Sequence, residues 1–236
     1  FVIVLLVFIP LLTMRSFAEE KRARTDQLLL TSPVSVPGIV LGKYLSLVAM
    51  FAVPVAVLAL YPLLMRALGG ADLAASYSGF LAYLLMAAAG IAVCMYLSAL
   101  TENQIIAALS GFGVLLVSYL LPSIQTLFTA GSGLALIVFG VVLGAAALAA
   151  GLRSRSLVLG GGVFAVGCVV LAVFWGTKNA FLTSAFNAVL GALALFEPFL
   201  SFANGLFDLG ALVYYASVAA LFLFLTGQAL EKRRWN

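Results

Sequence analysis

Histidine is absent from the 236 residues, cysteine occurs only twice, and charged residues make up 8% of the chain. Each scarcity argues against a class of function. With no histidine and no C-x-x-C pair, a zinc, haem or histidine-based catalytic site is not expected. Cys94 and Cys168 lie in separate apolar runs. They read as small buried core residues rather than a disulfide or metal pair. A soluble domain is about a quarter charged, so this composition excludes a soluble globular enzyme and a disordered tail. No basic stripe or recognised motif points to nucleic acid. The first apolar run has no basic segment before it and no small-residue cleavage site after it, unlike a signal peptide. Because the chain opens at Phe1, inside that run, it reads as a fragment or processed product.

What is present is apolar: 65% of residues are hydrophobic and the mean hydropathy is +1.23. Seven stretches stand out, at about 1–14, 39–65, 77–100, 104–121, 133–152, 156–175 and 209–230. Most approach the roughly 20 residues that a helix needs to cross a bilayer. They are continuously apolar rather than alternating, which disfavours membrane strands. The expected fold is all-α, a polytopic transmembrane bundle of about seven spans in one domain, 1–236. Pro54 and Pro62 are expected to kink the long second stretch. If the end of the first span is cytoplasmic, Arg15, Lys21, Arg22, Arg24, Lys43, Arg153, Arg155, Lys232, Arg233 and Arg234 are all inside. Only Arg66 and Lys178 are then outside. That bias sets a cytoplasmic C-terminus in a multi-pass protein of the plasma or inner membrane.

The span interiors carry almost no ionisable group, which counts against an ion-coupled transporter. They also show no carboxylate pair or nucleophile–base set, so no enzyme activity is expected. Gly140 with Gly144, and the run Gly160–Gly162, suit close helix packing.

The charged segment 16–43 is the most informative. Ser16 and Glu19 form S-x-x-E, a capping box that predicts a helix start. Glu19 with Arg22, and Glu20 with Arg24, stand at i,i+3 and i,i+4 in acid-first order. The helix is expected to end near Leu30, since Ser32 precedes Pro33. Ser35, Val36 and Pro37 then open the next span. Composition alone favours an amphipathic helix lying on the membrane. Charge of both signs followed by Leu28, Leu29 and Leu30 suits a groove on a protein partner.

These residues resemble the cytoplasmic coupling region of type-2 ABC exporter permeases, especially the gliding-motility-type group. The similarity runs through Pro10 to Arg15 and Phe17 to Arg22. It continues at Thr25, Leu29 to Ser35, and Ile39 to Lys43. Arg24 stands where the family has Gly, and Gln27 where it has Glu. A second match is Thr101, Glu102, Asn103, Gln104 and the four residues after them, similar to a short inner loop of the family. There Thr101 and Gln104 read as a T-x-x-Q capping box with Glu102 in the first turn. A third is Phe199, Phe202, Gly205, Asp208, Val213 and Tyr214 before a last span and a basic tail. The family's second acid falls on Ala211.

The resemblance implies a permease subunit that couples ATP hydrolysis in a separate ABC ATPase to substrate export. A second permease copy or a related permease would complete the pathway in the lipid bilayer. ATP and Mg would be held by the partner; no cofactor is expected on this chain. Glu19, Glu20, Lys21, Arg22, Arg24 and Thr25 would set docking in a coupling helix over 16–32. Leu28, Leu29 and Leu30 would fill a groove, and Thr31, Ser32 and Pro33 would lead into the next span. The family layout also implies one further span before Phe1, whereas the runs 133–152 and 156–175 are less typical of it and read as an additional helical hairpin over 133–175. The segment GIVLGKY, Gly38 to Tyr44, is P-loop-like but has three residues between its glycines and Tyr44 in place of Ser/Thr, so it is not read as a nucleotide site. In the outer segment 176–208, apolar residues recur at helical spacing, which predicts an interfacial helix and a turn near Glu197-Pro198. An ion-coupled secondary transporter and a non-transporting scaffold are the alternative readings.

Overall fold

The computed structural model describes residues 2–25, 34–70, 72–129, 188, 190–203 and 208–234. In chain order the helices are α1 (Val2–Thr13), α2 (Ala18–Arg22), α3 (Val36–Leu58), α4 (Tyr61–Ala67), α5 (Leu73–Leu100), α6 (Gln104–Thr129), α7 (Phe199–Ala203) and α8 (Leu209–Arg234). No strand occurs among the described residues. Five helical segments are long and apolar enough to cross a membrane: Val2–Arg22, Val36–Ala67, Leu73–Leu100, Gln104–Thr126 and Leu209–Lys232. They coincide with five of the seven apolar stretches. The stretches 133–152 and 156–175, the hairpin expected from them, Cys168 and the outer segment up to 187 lie outside the described residues. The chain forms two compact units, Phe1–Tyr119 with Leu195–Asn236, and Leu120–Ala194. The described part of the second is the end of α6 and residues 188 and 190–194. The site lies in the first.

Within that unit α5 is the axis. Of its most apolar window 61% is buried, against 17% for α3 and α8. At 28 residues it is about 42 Å long, more than the roughly 30 Å of hydrocarbon. Its middle, from Ala87 to Cys94, is buried, and most of these residues are small. In lipid the apolar effect does not draw helices together, so close backbone approach and packing must do so. Gly90 shows how close this is: a Cβ there would lie 3.0 Å from Ile9 Cδ1 of α1. A Cβ on Gly111 of α6 would lie 3.1 Å from Cys94 Sγ. Cys94 is a buried free thiol in that packing, as its apolar setting suggests.

The long second stretch passes through Pro54 unbroken and breaks instead at residues 59–60, just before Pro62. Pro62 lacks the N–H that would continue the ladder. That leaves the Leu58 carbonyl without its helical donor, and Tyr77 Oη of α5 donates to the neighbouring Ala59 carbonyl, 3.2 Å away. Gly69, at φ 89°, closes α4, and Asp72 caps α5 through the Ala74 N–H at 2.9 Å.

Candidate functional site

α1 ends, α3 begins, α5 ends, α6 begins and α8 ends at one end of the bundle, which gathers most of the charge among the described residues. The chain leaves α1 through a turn at 14–17 and enters α2. Phe17, at the elbow, is 2% exposed. Its ring fills a socket of Val36 and Val40 from α3, Met95 and Ala99 from α5, and Leu230 from α8. Lys43 of α3 holds the elbow from outside. Its Nζ donates to the Ser16 carbonyl at 2.6 Å, lies 2.5 Å from Glu20 Oε2, and stands 4.4 Å from the centre of the Phe17 ring. The segment GIVLGKY is therefore continuous helix, and its lysine is a clamp rather than a phosphate ligand.

The predicted capping box does not form. Ser16 Oγ has no hydrogen-bond partner among the described residues, because the Ser16 carbonyl is drawn to Lys43 while Phe17 enters its socket. The cap comes from another helix. Ser98 Oγ of α5, fully buried, accepts from Phe17 N at 3.3 Å and Ala18 N at 3.2 Å. It donates to the Met14 carbonyl at 3.2 Å. Lys21 returns the favour at the other helix end. It is 8% exposed and donates to the Ala99 carbonyl, one of the last-turn carbonyls of α5 that lack partners within the helix and carry the negative end of its dipole. Lys21 is thus a buried structural cation, not the surface docking group expected of it. Glu20 likewise turns to Lys43 instead of Arg24.

α2 is also shorter than predicted. It stops at Arg22, Ala23 is its C-cap, and Arg24 adopts φ 57°. Arg24 N bonds the Lys21 carbonyl and Thr25 N the Glu20 carbonyl. This is a Schellman ending, with arginine at the left-handed position that favours glycine. Arg24→Gly is expected to stabilise the elbow by about 1 kcal/mol, by removing the Cβ clash of the left-handed conformation. Slower amide exchange over residues 18–25 would show it. Leu28, Leu29, Leu30, Thr31, Ser32 and Pro33 lie outside the described residues. Glu19, Arg22, Arg24, Thr25 and Arg15 remain exposed on α2 and its flanks.

Residues 101–103 join α5 to α6 beside this elbow. Asn103, not Thr101, caps α6: its Oδ1 accepts from Ile105 N at 2.9 Å. Thr101 Oγ1 accepts from Asn103 N at 3.2 Å. The box shifts because Thr101, extended at φ −122° and ψ 157°, is the C-cap of α5. Gln104 becomes the first helical residue, and Glu102 is left exposed before it.

A family model described as ABC-2 family transporter protein matches residues 1–130, more than half of the chain. This chain belongs to the ABC-2 transporter family. It is a multi-pass membrane protein and a permease subunit of an ABC transporter, a transport subunit with no catalysis of its own; in general such a permease works with an ABC ATPase. No curated protein and no solved structure matches it. The matched part holds α1 to α6, with the whole elbow and the 101–103 loop.

The far end of the ABC-2 permease carries fewer charges among the described residues, Arg66, Asp72, Glu197 and Asp208. Residues 195–198 form the expected turn; the interfacial helix expected before it lies mostly outside the described residues. Leu195, Phe196 and Phe202 are buried in the bundle core. Leu195 N donates to Ser118 Oγ of α6 at 2.8 Å. A turn can enter a membrane bundle only where protein satisfies its backbone in this way. Phe199 packs on Tyr83 of α5, ring centres 6.2 Å apart. Asp208 is the cap of α8, accepting from Gly210 N at 2.8 Å. Its place before an apolar run is a helix-start signal that the sequence carries. Gly205 lies outside the described residues. Ser98 and Lys43 are the residues of the charged end that sequence reasoning did not single out as anchors. For Ser98 the signal was a small polar side chain in the apolar last turns of α5.

Proposed function

We propose that the charged end faces the cytoplasm and docks an ABC ATPase through the exposed charges of α2 and the 101–103 loop. The permease is then an exporter subunit of the gliding-motility-type group, paired with a second permease. ATP and Mg sit in the ATPase, and closure of that subunit pushes on α2. Glu19, Arg22, Arg24 and Glu102 meet the partner; Phe17, Glu20, Lys21 and Lys43 hold α2 to the spans. The supporting observation is a short helix with exposed charge of both signs on a buried, three-span anchorage. Mixed charge fixes the register of a protein contact, and a rigid mount lets a small displacement act on packed helices. The concentration of basic residues at this end supports its cytoplasmic side.

The test is co-purification from membranes in mild detergent with the ABC ATPase encoded beside it, comparing the native chain with Glu19→Lys/Arg22→Glu. The native chain should retain the ATPase. The double reversal should cut retention about tenfold or more, as expected for close charge pairs at an interface, with unchanged insertion. Equal retention by both would remove the docking assignment.

A further inference from the structure

We propose that Ser98 and Lys21 are positioning residues that make α5, rather than α1, the receiver of α2's movement; this rests on the docking reading above. α2 follows α1 in sequence, yet its bonds lead elsewhere. The Ser98 hydroxyl accepts from Phe17 N and Ala18 N and donates to the Met14 carbonyl. A hydroxyl offers one donor and two acceptor sites, so its capacity is fully used on the elbow. Lys21 closes a second link, from α2 to the Ala99 carbonyl at the end of α5. The two helices thus exchange caps: α5 supplies the acceptor at the start of α2, and α2 supplies the donor at the end of α5.

The costs of movement are unequal. Sliding α2 against α5 orphans buried N–H groups and a buried ammonium, which is expensive where water is scarce. Turning α2 against α1 loses less: the Ser16 N bond to the Thr13 carbonyl and the Ser98 bond to the Met14 carbonyl, with no buried ammonium left unpaired. A push on α2 is therefore carried by α5. That helix is the buried axis, and it reaches the far end, where Tyr83 meets Phe51 and Phe199.

The test uses the full permease–ATPase complex in membranes, with Cys94 and Cys168 replaced by alanine and one reporter, Ser76→Cys, in the first turn of α5. The reporter's labelling rate by a thiol reagent is measured with and without a non-hydrolysable ATP analogue. In the parent, the analogue should change the rate. In Ser98→Ala and Lys21→Met the ATPase should stay bound, while the nucleotide-dependent change falls about fivefold or more, the usual scale of inter-site coupling. Ser98→Thr and Lys21→Arg, which keep the hydroxyl and the charge, should restore it. A purely structural role would lower binding and response together, without separating them, and that result overturns the proposal. So does an undiminished response in both variants, or no response in a parent that binds ATPase; in each of these two cases the docking reading stands. A parent that binds no ATPase removes the docking reading and this proposal with it.

Discussion

Phe17→Ala should detach α2 from the bundle while leaving the spans inserted. The ring is almost wholly buried among residues of α3, α5 and α8, and truncating a buried phenylalanine costs about 3–5 kcal/mol. Here the loss is local. The socket sits at the bundle end, and Ala87 to Cys94, the small-residue packing of α5, do not touch it. Lys43 also loses the ring beneath its ammonium, a smaller term of about 0.5–1 kcal/mol. Amide exchange over residues 15–25 should accelerate strongly, with protection across α5 kept below its last turn. Nucleotide-driven effects on the spans should vanish even if the ATPase still binds. Phe17→Leu, which keeps most of the volume, should cost under about 1.5 kcal/mol. Equal exchange in the native chain and Phe17→Ala would mean that the socket does not hold the elbow.

Phe202→Ala should have a comparable energetic cost and a different consequence. Phe202 is 1% exposed and belongs to the core that includes Phe51, Tyr83, Ala211 and Tyr215. Its truncation leaves a cavity where α7 enters the bundle, at a cost of about 3 kcal/mol or more. The expected result is a lower unfolding temperature in detergent and faster exchange over residues 195–203. ATPase retention should not change, since α2 and the 101–103 loop are at the opposite end. A loss of ATPase retention in this variant would show that the two ends are not separable as described.

Much of the fold was legible because lipid imposes a simple rule on the chain. Continuous apolar runs must be helices, and five of them are. Helix ends were harder. The capping boxes at Ser16 and Thr101 fit the local pattern, but both lost to tertiary competition. Ser98 supplies the cap for α2 from across the bundle, and Thr101 is held as the end of α5. Arg24 carried a usable signal: it replaces the glycine of the family pattern at the one described non-glycine position with positive φ. Charge pairing within α2 pointed toward a longer helix and outweighed that signal. At the site, the exposed Glu19, Arg22 and Arg24 were readable as surface charge. The inward turn of Lys21 and the pairing of Glu20 with Lys43 were not, since sequence spacing does not reveal which neighbouring helix end lacks a partner. Phe199 and Phe202 were readable as a motif, but their insertion into the core depends on the turn before them and on Ser118.

The most direct measurement is a cross-link from Ala23, the exposed C-cap of α2. A permease with Cys94→Ala and Cys168→Ala, and with Ala23→Cys carrying a short photoreactive thiol label, is irradiated in native membranes. The cross-linked product is then identified by mass spectrometry. The account predicts a product with an ABC ATPase subunit, lost when Glu19→Lys/Arg22→Glu is added and retained with Phe202→Ala. A label that reacts fully at Ala23 yet yields only lipid or permease adducts, while the ATPase is present in the same membranes, would contradict it.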